Sequence, residues 1–173
     1  MSKPLLTYER ANEVLVYDPE TGALNWRVGR PGAPKGALVG TRTADGYTQV
    51  EIDYRLYRAH RVIWLMQTGK WPTHQVDHRN GMRADNRWQN LREATPLQNA
   101  RNRWPAKDTG SGRIGVCYDQ ARAKWSAYIG VDNRTISLGF YTEIEEAVAA
   151  RVDAEKAYFG EFAADHTERG RAA

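Results

Sequence analysis

Cysteine is almost absent from this chain of 173 residues, which contains only Cys117. A single thiol excludes an internal disulfide and any structural zinc site built from several cysteines. No stretch approaches the roughly 20 apolar residues of a membrane-spanning helix, and the N-terminus has no apolar core of signal-peptide length. We therefore expect a soluble, cytoplasmic protein with no structural zinc and no membrane partner. Cys117 is expected to be a small, part-buried strand residue.

Acidic residues are also scarce in the middle of the chain. Residues 55–103 contain ten arginines or lysines and three acids, whereas residues 143–161 contain six acids and two basic residues. This asymmetry predicts one face for a polyanion and an acidic helix directed away from it, with a solvated run of charges as the alternative. An apolar content of 41% and six tryptophans predict a folded protein.

The most informative pattern lies between residues 77 and 99. Asp77 and His78 are adjacent, Asn90 follows twelve residues after His78, and Asn99 comes nine residues later. A carboxylate beside an imidazole, followed at short range by an amide on a predicted helix, can hold one divalent metal ion. The imidazole is then available to activate a water molecule. The pattern therefore predicts a hydrolytic metal site.

Two stretches carry a family resemblance: RAHRVIWLMQTGKWP (58–72) and QVDHRNGMRADNRWQNLREATPLQNARN (75–102). They resemble the HNH nucleases, and specifically the phage homing-endonuclease branch. With its flanks, the resemblance runs from about residue 6 to residue 163. It implies a two-stranded ribbon followed by a helix around one metal ion, with Asp77 and His78 at the end of the first strand. It also implies a phage- or bacterium-encoded enzyme that leaves a 5′-phosphate and a 3′-hydroxyl.

The predicted catalytic residues have separate roles. The Asp77 carboxylate and the Asn99 amide would bind one Mg²⁺, for which Mn²⁺ could substitute. His78 would act as the general base, because imidazole titrates near neutral pH. Asn90 would brace the loop between ribbon and helix through bonds from its side chain to the backbone. Asn86 could take that place instead.

Other basic and histidine residues of this region are predicted to support the site. His60 is expected to hold local structure rather than to catalyse. Phosphate contacts are expected from the arginines of the ribbon and its helix. These are Arg79, Arg83, Arg87, Arg101 and Arg103.

The chain is predicted to comprise a nuclease domain (1–104), a linker (105–112) and a DNA-binding domain (113–173). In the first domain we expect a helix over 6–17 capped by Thr7, a turn at 18–22 and a hairpin at Asp45–Gly46. A buried helix should cover 61–68. The helix that carries Asn99 should begin with Thr95 as cap and Pro96 in its first position, and run to about residue 104.

The C-terminal domain is predicted to have strands over 114–118, 124–131 and 134–141 and a helix to about Phe159, opened by a capping box of Thr142 and Glu145. The segments GVCYD, KWSAYI, LGFYTEIEEA and AYFGEFA resemble the plant APETALA2-type DNA-binding domain. That resemblance implies a sheet whose face away from the helix enters the major groove. This face would carry Arg113, Tyr118, Lys124, Tyr128 and Arg134.

The sequence thus predicts an α+β protein, with a ββα-metal nuclease domain followed by a three-stranded antiparallel sheet packed on one helix. The predicted function is metal-dependent cleavage of double-stranded DNA by a homing or nicking endonuclease. A catalytically inactive DNA-binding regulator and a structure-selective nuclease on branched nucleic acid are the alternatives. The oligomeric state is open, with a monomer favoured; a monomer would nick, and a dimer could break both strands.

Overall fold

A computed structural model of the protein describes residues 5–101 and 110–163. The chain divides into two compact units, Met1–Pro96 and Leu97–Ala173. Helices and small antiparallel sheets occur in both, which confirms the predicted α+β class. The junction between the predicted domains 1–104 and 113–173 lies largely outside the described residues, so that division stays a prediction. Arg103 also lies outside them.

The first unit begins with helix α1 (Tyr8–Val14), followed by strands β1 (Leu15–Tyr17) and β2 (Leu24–Trp26). The predicted cap is confirmed, because the Thr7 hydroxyl oxygen accepts a hydrogen bond of 3.2 Å from the backbone N–H of Arg10. The helix ends earlier than predicted. Its expected last turn instead forms β1, since these residues pair antiparallel with β2 across the predicted turn at 18–22.

A three-stranded antiparallel sheet comes next, with β3 (Thr41–Arg42), β4 (Thr48–Ile52) and β5 (Arg55–Arg58) in that order. The predicted turn at Asp45–Gly46 connects β3 to β4. Helix α2 (Ala59–Thr68) follows β5 directly and begins two residues before its predicted start. It ends at Gly69, whose φ of 76° is in the left-handed region that glycine adopts without strain.

The ribbon predicted to hold the site is present in this unit. Strand β6 (Gln75–His78) pairs antiparallel with β7 (Leu91–Ala94), and a 3₁₀ turn at Trp88–Asn90 precedes β7. Helix α3 (Pro96–Arg101) follows and begins at the predicted proline. The expected continuation of this helix to residue 104 lies outside the described residues.

The second unit contains strands β8 (Val116–Asp119), β9 (Lys124–Val131) and β10 (Arg134–Tyr141), with β9 in the centre, and helix α4 (Ile144–Phe159). The bounds of β9 and β10 are as predicted. The predicted cap of α4 is wrong by one residue, because Glu143 occupies the N-cap position and makes no side-chain capping bond.

Packing in the second unit follows the alternation along the central strand. Ala127 and Ile129 of β9 are buried, as are Ala147 and Ala154 of α4. Small alanine side chains allow the helix to lie close to the sheet. In the described parts of the chain, no helix combines the length and apolar character needed to cross a membrane.

Candidate active site

Asp77 and His78 are the last two residues of β6, and both are buried, with 7% and 3% of their surface exposed. The register of the ribbon places Arg92 of β7 opposite Asp77. Arg92 donates hydrogen bonds from Nε at 3.0 Å and from Nη2 at 2.7 Å, and both end on Oδ2 of Asp77. The ribbon therefore holds its buried carboxylate in an ion pair.

His78 is held in place by Asn86. The distance from His78 Nε2 to Asn86 Oδ1 is 3.1 Å, and the contact is buried. An amide oxygen can only accept, so Nε2 carries the proton and the basic lone pair is on Nδ1. Burial lowers the pKa of His78 below its ordinary value, against opposing effects of the Asn86 bond and the Asp77 charge. The imidazole is therefore neutral near pH 7, as a general base must be.

Two further rings surround His78. The ring of His60 lies 5.2 Å from that of His78 at an angle of 77°, and the Tyr47 ring lies 5.1 Å from His60 and 5.9 Å from His78. Only 6% of His60 is exposed, and its Nδ1 is buried with no hydrogen-bond partner among the described residues. Burial lowers the pKa of His60 to about 3, so this ring is also neutral.

The loop between β6 and β7 is closed by two asparagines. Asn90 Oδ1 accepts from the backbone N–H of Asn80 at 3.0 Å, and Asn90 Nδ2 donates to the carbonyl of Asp85 at 2.7 Å. Asn80 Oδ1 accepts from the N–H of Met82 at 2.9 Å. Asn90 thus makes bonds of the bracing type, while Asn86, the alternative brace, binds His78 instead.

The turn between β1 and β2 packs directly on this loop. Tyr17 donates its hydroxyl proton to the carbonyl of Asn86 at 2.8 Å, and the N–H of Trp88 donates to the carbonyl of Pro19 at 3.0 Å. Gly22 is required here, because a Cβ at this residue would lie 2.6 Å from the backbone nitrogen of Arg87. This contact helps to fix Asn86, and through it the orientation of His78.

The arginines of the loop have different surroundings. Arg79 and Arg83 are exposed, and the Arg83 guanidinium lies 5.0 Å from the centre of the Tyr47 ring. Arg87 forms an ion pair with Asp85 at 2.5 Å. Its hydrogen bonds lower the pKa of the Asp85 carboxyl. Arg83 is therefore positioned beside the ring cluster, whereas Arg87 shares its charge with a neighbouring acid.

Sequence reasoning missed two residues that touch this cluster. Tyr47 belongs to the turn between β3 and β4 and had no motif to mark it. Arg58 precedes α2, and its guanidinium lies 4.9 Å from the Tyr47 ring centre while it pairs with Asp45 at 2.8 Å. The predicted hairpin at 45–46 was the one sequence signal near these two residues. It predicted a turn, but not that the turn packs against His60 and His78.

The remaining residues of the predicted nuclease site lie in the second unit. Asn99 is half-buried on α3. Arg101, on the same helix, places its guanidinium 5.0 Å from the centre of the Phe159 ring.

The outer face of the second unit's sheet, meaning the face away from α4, differs from the predicted one. Strand register places Lys124 opposite Asp119 and Tyr128 opposite Ser137, and these side chains lie on the outer face. Cys117 is also on this face and is exposed, so its expected partial burial is wrong.

Three residues predicted on the outer face lie elsewhere. Arg113 is only 9% exposed and forms an ion pair with Glu155 of α4, so its expected position is wrong. Tyr118 is opposite Trp125, with ring centres 5.3 Å apart, and Arg134 is opposite Val131. Directly opposed residues of an antiparallel pair share a face, which here is the side of the helix.

Residues 57–101 match the family model of the HNH endonucleases. The matched segment contains α2, both strands of the ribbon and α3, and therefore every element that carries Asp77, His78, Asn90 and Asn99. The match agrees with the predicted resemblance of this segment to the HNH nucleases.

One solved structure is similar to the chain: "DNA binding and cleavage by the HNH homing endonuclease I-HmuI". The identity is 21% and the TM-score 0.40, over 51% of this chain and 51% of that chain. This chain thus matches about half the length of that protein. No curated protein matches the sequence.

HNH nucleases generally use a divalent metal ion. Within residues 5–101 and 110–163, no group of three or more His, Cys, Asp or Glu side chains is placed to hold one. A carboxylate and an amide are nevertheless the oxygen donors that Mg²⁺ takes, and that ion keeps several water ligands. Asp77 and Asn99 each offer an oxygen donor of this type, and Arg92 shares the carboxylate of Asp77.

Proposed function

We propose that this protein is a metal-dependent endonuclease of double-stranded DNA in which His78 is the general base. The observation that supports this most directly is the buried, neutral imidazole of His78, held through Nε2 by Asn86 within the HNH domain. A neutral imidazole fixed through one nitrogen can accept a proton at the other. A base held in a fixed orientation favours hydrolysis over simple binding.

In the proposed reaction, Nδ1 of His78 takes a proton from a water molecule as its oxygen attacks the phosphorus. The bond from phosphorus to the 3′ oxygen breaks, and that oxygen takes up a proton from solvent water. The products carry a 5′-phosphate and a 3′-hydroxyl. Asn86 keeps the imidazole in the required tautomer throughout. General-base assistance of this kind contributes roughly 10²–10⁴-fold in rate.

Asp77 and Asn99 are the proposed metal ligands, for Mg²⁺ or for Mn²⁺ in its place. A divalent ion supplies neutralisation of the charge that develops on the phosphate and help for the leaving oxygen. Arg92 orients the Asp77 carboxylate through two hydrogen bonds. Asn90 acts through the loop, whose conformation its two backbone bonds maintain.

In the first unit, the proposed DNA contacts are made by exposed arginines. In the second unit, they are made by residues on the outer face of the sheet. Arg79 and Arg83 are exposed next to the loop that carries the site. Lys124 and Tyr128 are exposed on the outer face. We also propose that the enzyme is a homing or nicking nuclease of phage or bacterial origin, with residues 113–173 as its APETALA2-like binding module.

A plasmid-nicking assay with Mg²⁺ and with EDTA tests this function. We expect His78→Ala to lose roughly 10²-fold or more in cleavage rate, because it removes the general base, while metal-free DNA binding stays close to that of the wild type. His74→Ala is a matched control, since His74 is exposed and only its backbone N–H makes a described hydrogen bond. Cleavage by His78→Ala at the wild-type rate would reject the role of His78. Absence of nicking by the wild type would favour a DNA-binding regulator.

A further inference from the structure

We infer that a groove beside the edge strand β5 binds a DNA phosphate a few nucleotides away from the one that is cut. This inference rests on the proposed function, because the same duplex would occupy both places. The groove has a volume of about 300 Å³. It is lined by three arginines, two aromatic residues and two leucines: Arg55, Arg58, Arg61, Tyr57, Trp71, Leu5 and Leu56.

The aromatic residues of the groove hold two guanidinium groups in position. The rings of Tyr57 and Trp71 stack with centres 5.8 Å apart at an angle of 24°. The guanidinium carbon of Arg55 lies 5.7 Å from the Tyr57 ring centre, and that of Arg61 lies 6.0 Å from the Trp71 ring centre. A guanidinium held over a ring keeps its N–H donors in its own plane, where they can bind two oxygens of one phosphate.

The charge of the groove is of one sign, since none of its lining residues is acidic. Arg58 pairs with Asp45, which does not line the groove. Arg61 is half-buried, and no carboxylate lies within ion-pair distance of it in the described part of the chain. Like charges gathered in a concave surface raise the local potential, and a bound anion would relieve their repulsion.

The position of the groove favours DNA over a small anion. His60 and Arg61 are consecutive residues of the first turn of α2: His60 contacts the His78 ring, and Arg61 lines the groove. A helix with its side chains is about 10–12 Å wide. Phosphates rise about 3.4 Å per nucleotide along one strand. A phosphate in the groove would therefore lie within a few nucleotides of the scissile one.

Binding of the full chain to a labelled DNA duplex of random sequence, in EDTA so that no cleavage occurs, tests the groove. Arg61→Gln and the double variant Arg55→Gln/Arg61→Gln remove charge while keeping a stem and a planar amide over the rings. Each lost phosphate contact should make the slope of log K against log salt shallower by about 0.9. If a variant and the wild type bind equally at 1 M salt, this difference in slope makes the variant bind roughly fivefold more weakly at 0.15 M salt for each contact that is lost. Lys35→Ala, an exposed cation outside the groove, is the matched control and should leave the slope nearly unchanged.

The outcomes separate this inference from the proposed function. A wild type that neither binds nor nicks duplex DNA would reject the function itself. A wild type that binds, with Arg61→Gln showing the slope of Lys35→Ala, would reject the groove alone. Loss of binding to an RNA duplex with unchanged binding to DNA would also reject it. A shallower slope in the single variant and a further decrease in the double variant would establish the site, provided that circular dichroism shows both to be folded.

Discussion

The polar side chains of the loop between β6 and β7 differ from those of the outer face of the second unit's sheet. Asn80, Asn86 and Asn90 are buried and hydrogen-bonded to neighbours, whereas Lys124 and Tyr128 are exposed to solvent. A buried polar group costs stability when its partner is lost, while an exposed one exchanges its partner for water. The side chains of the loop are therefore fixed by their neighbours, whereas those of the outer face are not.

The largest expected effect is on the stability of the loop. Asn90→Ala would leave the N–H of Asn80 and the carbonyl of Asp85 without their side-chain partners. Each unsatisfied buried group costs about 1–3 kcal/mol, so we expect the two together to lower the free energy of unfolding by roughly 2–6 kcal/mol. Urea denaturation measures it. Ser137→Ala, on the outer face, should change stability by less than about 0.5 kcal/mol. Equal effects of the two substitutions would remove the distinction between the regions.

The second effect concerns the orientation of His78. Asn86→Ala removes the acceptor for Nε2, so the imidazole can turn or change its tautomer, and we expect kcat to fall by roughly 10–100-fold with little change in KM. Asn86→Asp keeps an acceptor oxygen and should retain most of the activity. The comparison of the two variants in single-turnover nicking isolates the orientation effect. An equal loss in both would indicate that Asn86 supports only the fold of the loop.

The smallest effect is expected on the outer face. Lys124→Ala should make the salt slope of DNA binding shallower by about 0.9 and leave stability nearly unchanged. Arg113→Ala, away from that face, should instead leave the salt slope unchanged and lower stability modestly, because Arg151 still pairs with the buried Glu155 carboxylate. Binding isotherms at several salt concentrations, with urea denaturation of both variants, measure the pair. A loss of DNA affinity confined to Arg113→Ala would restore the original assignment of that arginine.

The elements of the fold were predictable where a local signal marked them. Thr7, Gly69 and Pro96 mark helix ends through capping and backbone chemistry that act within a few residues. The alternation of apolar and polar residues along β9 indicated its buried face, because successive side chains of a strand point to opposite sides of the sheet. The end of α1 was not predictable locally, because pairing with β2 across the turn converts its expected last turn into a strand.

Positions on the surface of the second unit were predictable only in part. The sequence predicted Arg113 to be a DNA contact. In the structure, Arg113 forms an ion pair with Glu155 of α4, which is 42 residues away in the chain. Tyr118 and Arg134 are directed to the helix side by register, and a shift of one residue in register moves every side chain to the other face. Neither the strand register nor the ion-pair partner of a residue can be predicted from the composition of the chain.

The sequence by itself determined which reactive groups are available: an adjacent carboxylate and imidazole, two amides at fixed spacing, and a basic middle segment that matches the HNH endonuclease model. Tertiary structure alone decided which side chains surround His78. Asn86 supplies its acceptor, the turn at Gly22 supports that loop, and Tyr47 and His60 enclose the ring. The physical reason is that spacing along a chain specifies which groups are available, whereas burial and long-range packing specify which of them meet and in which protonation state.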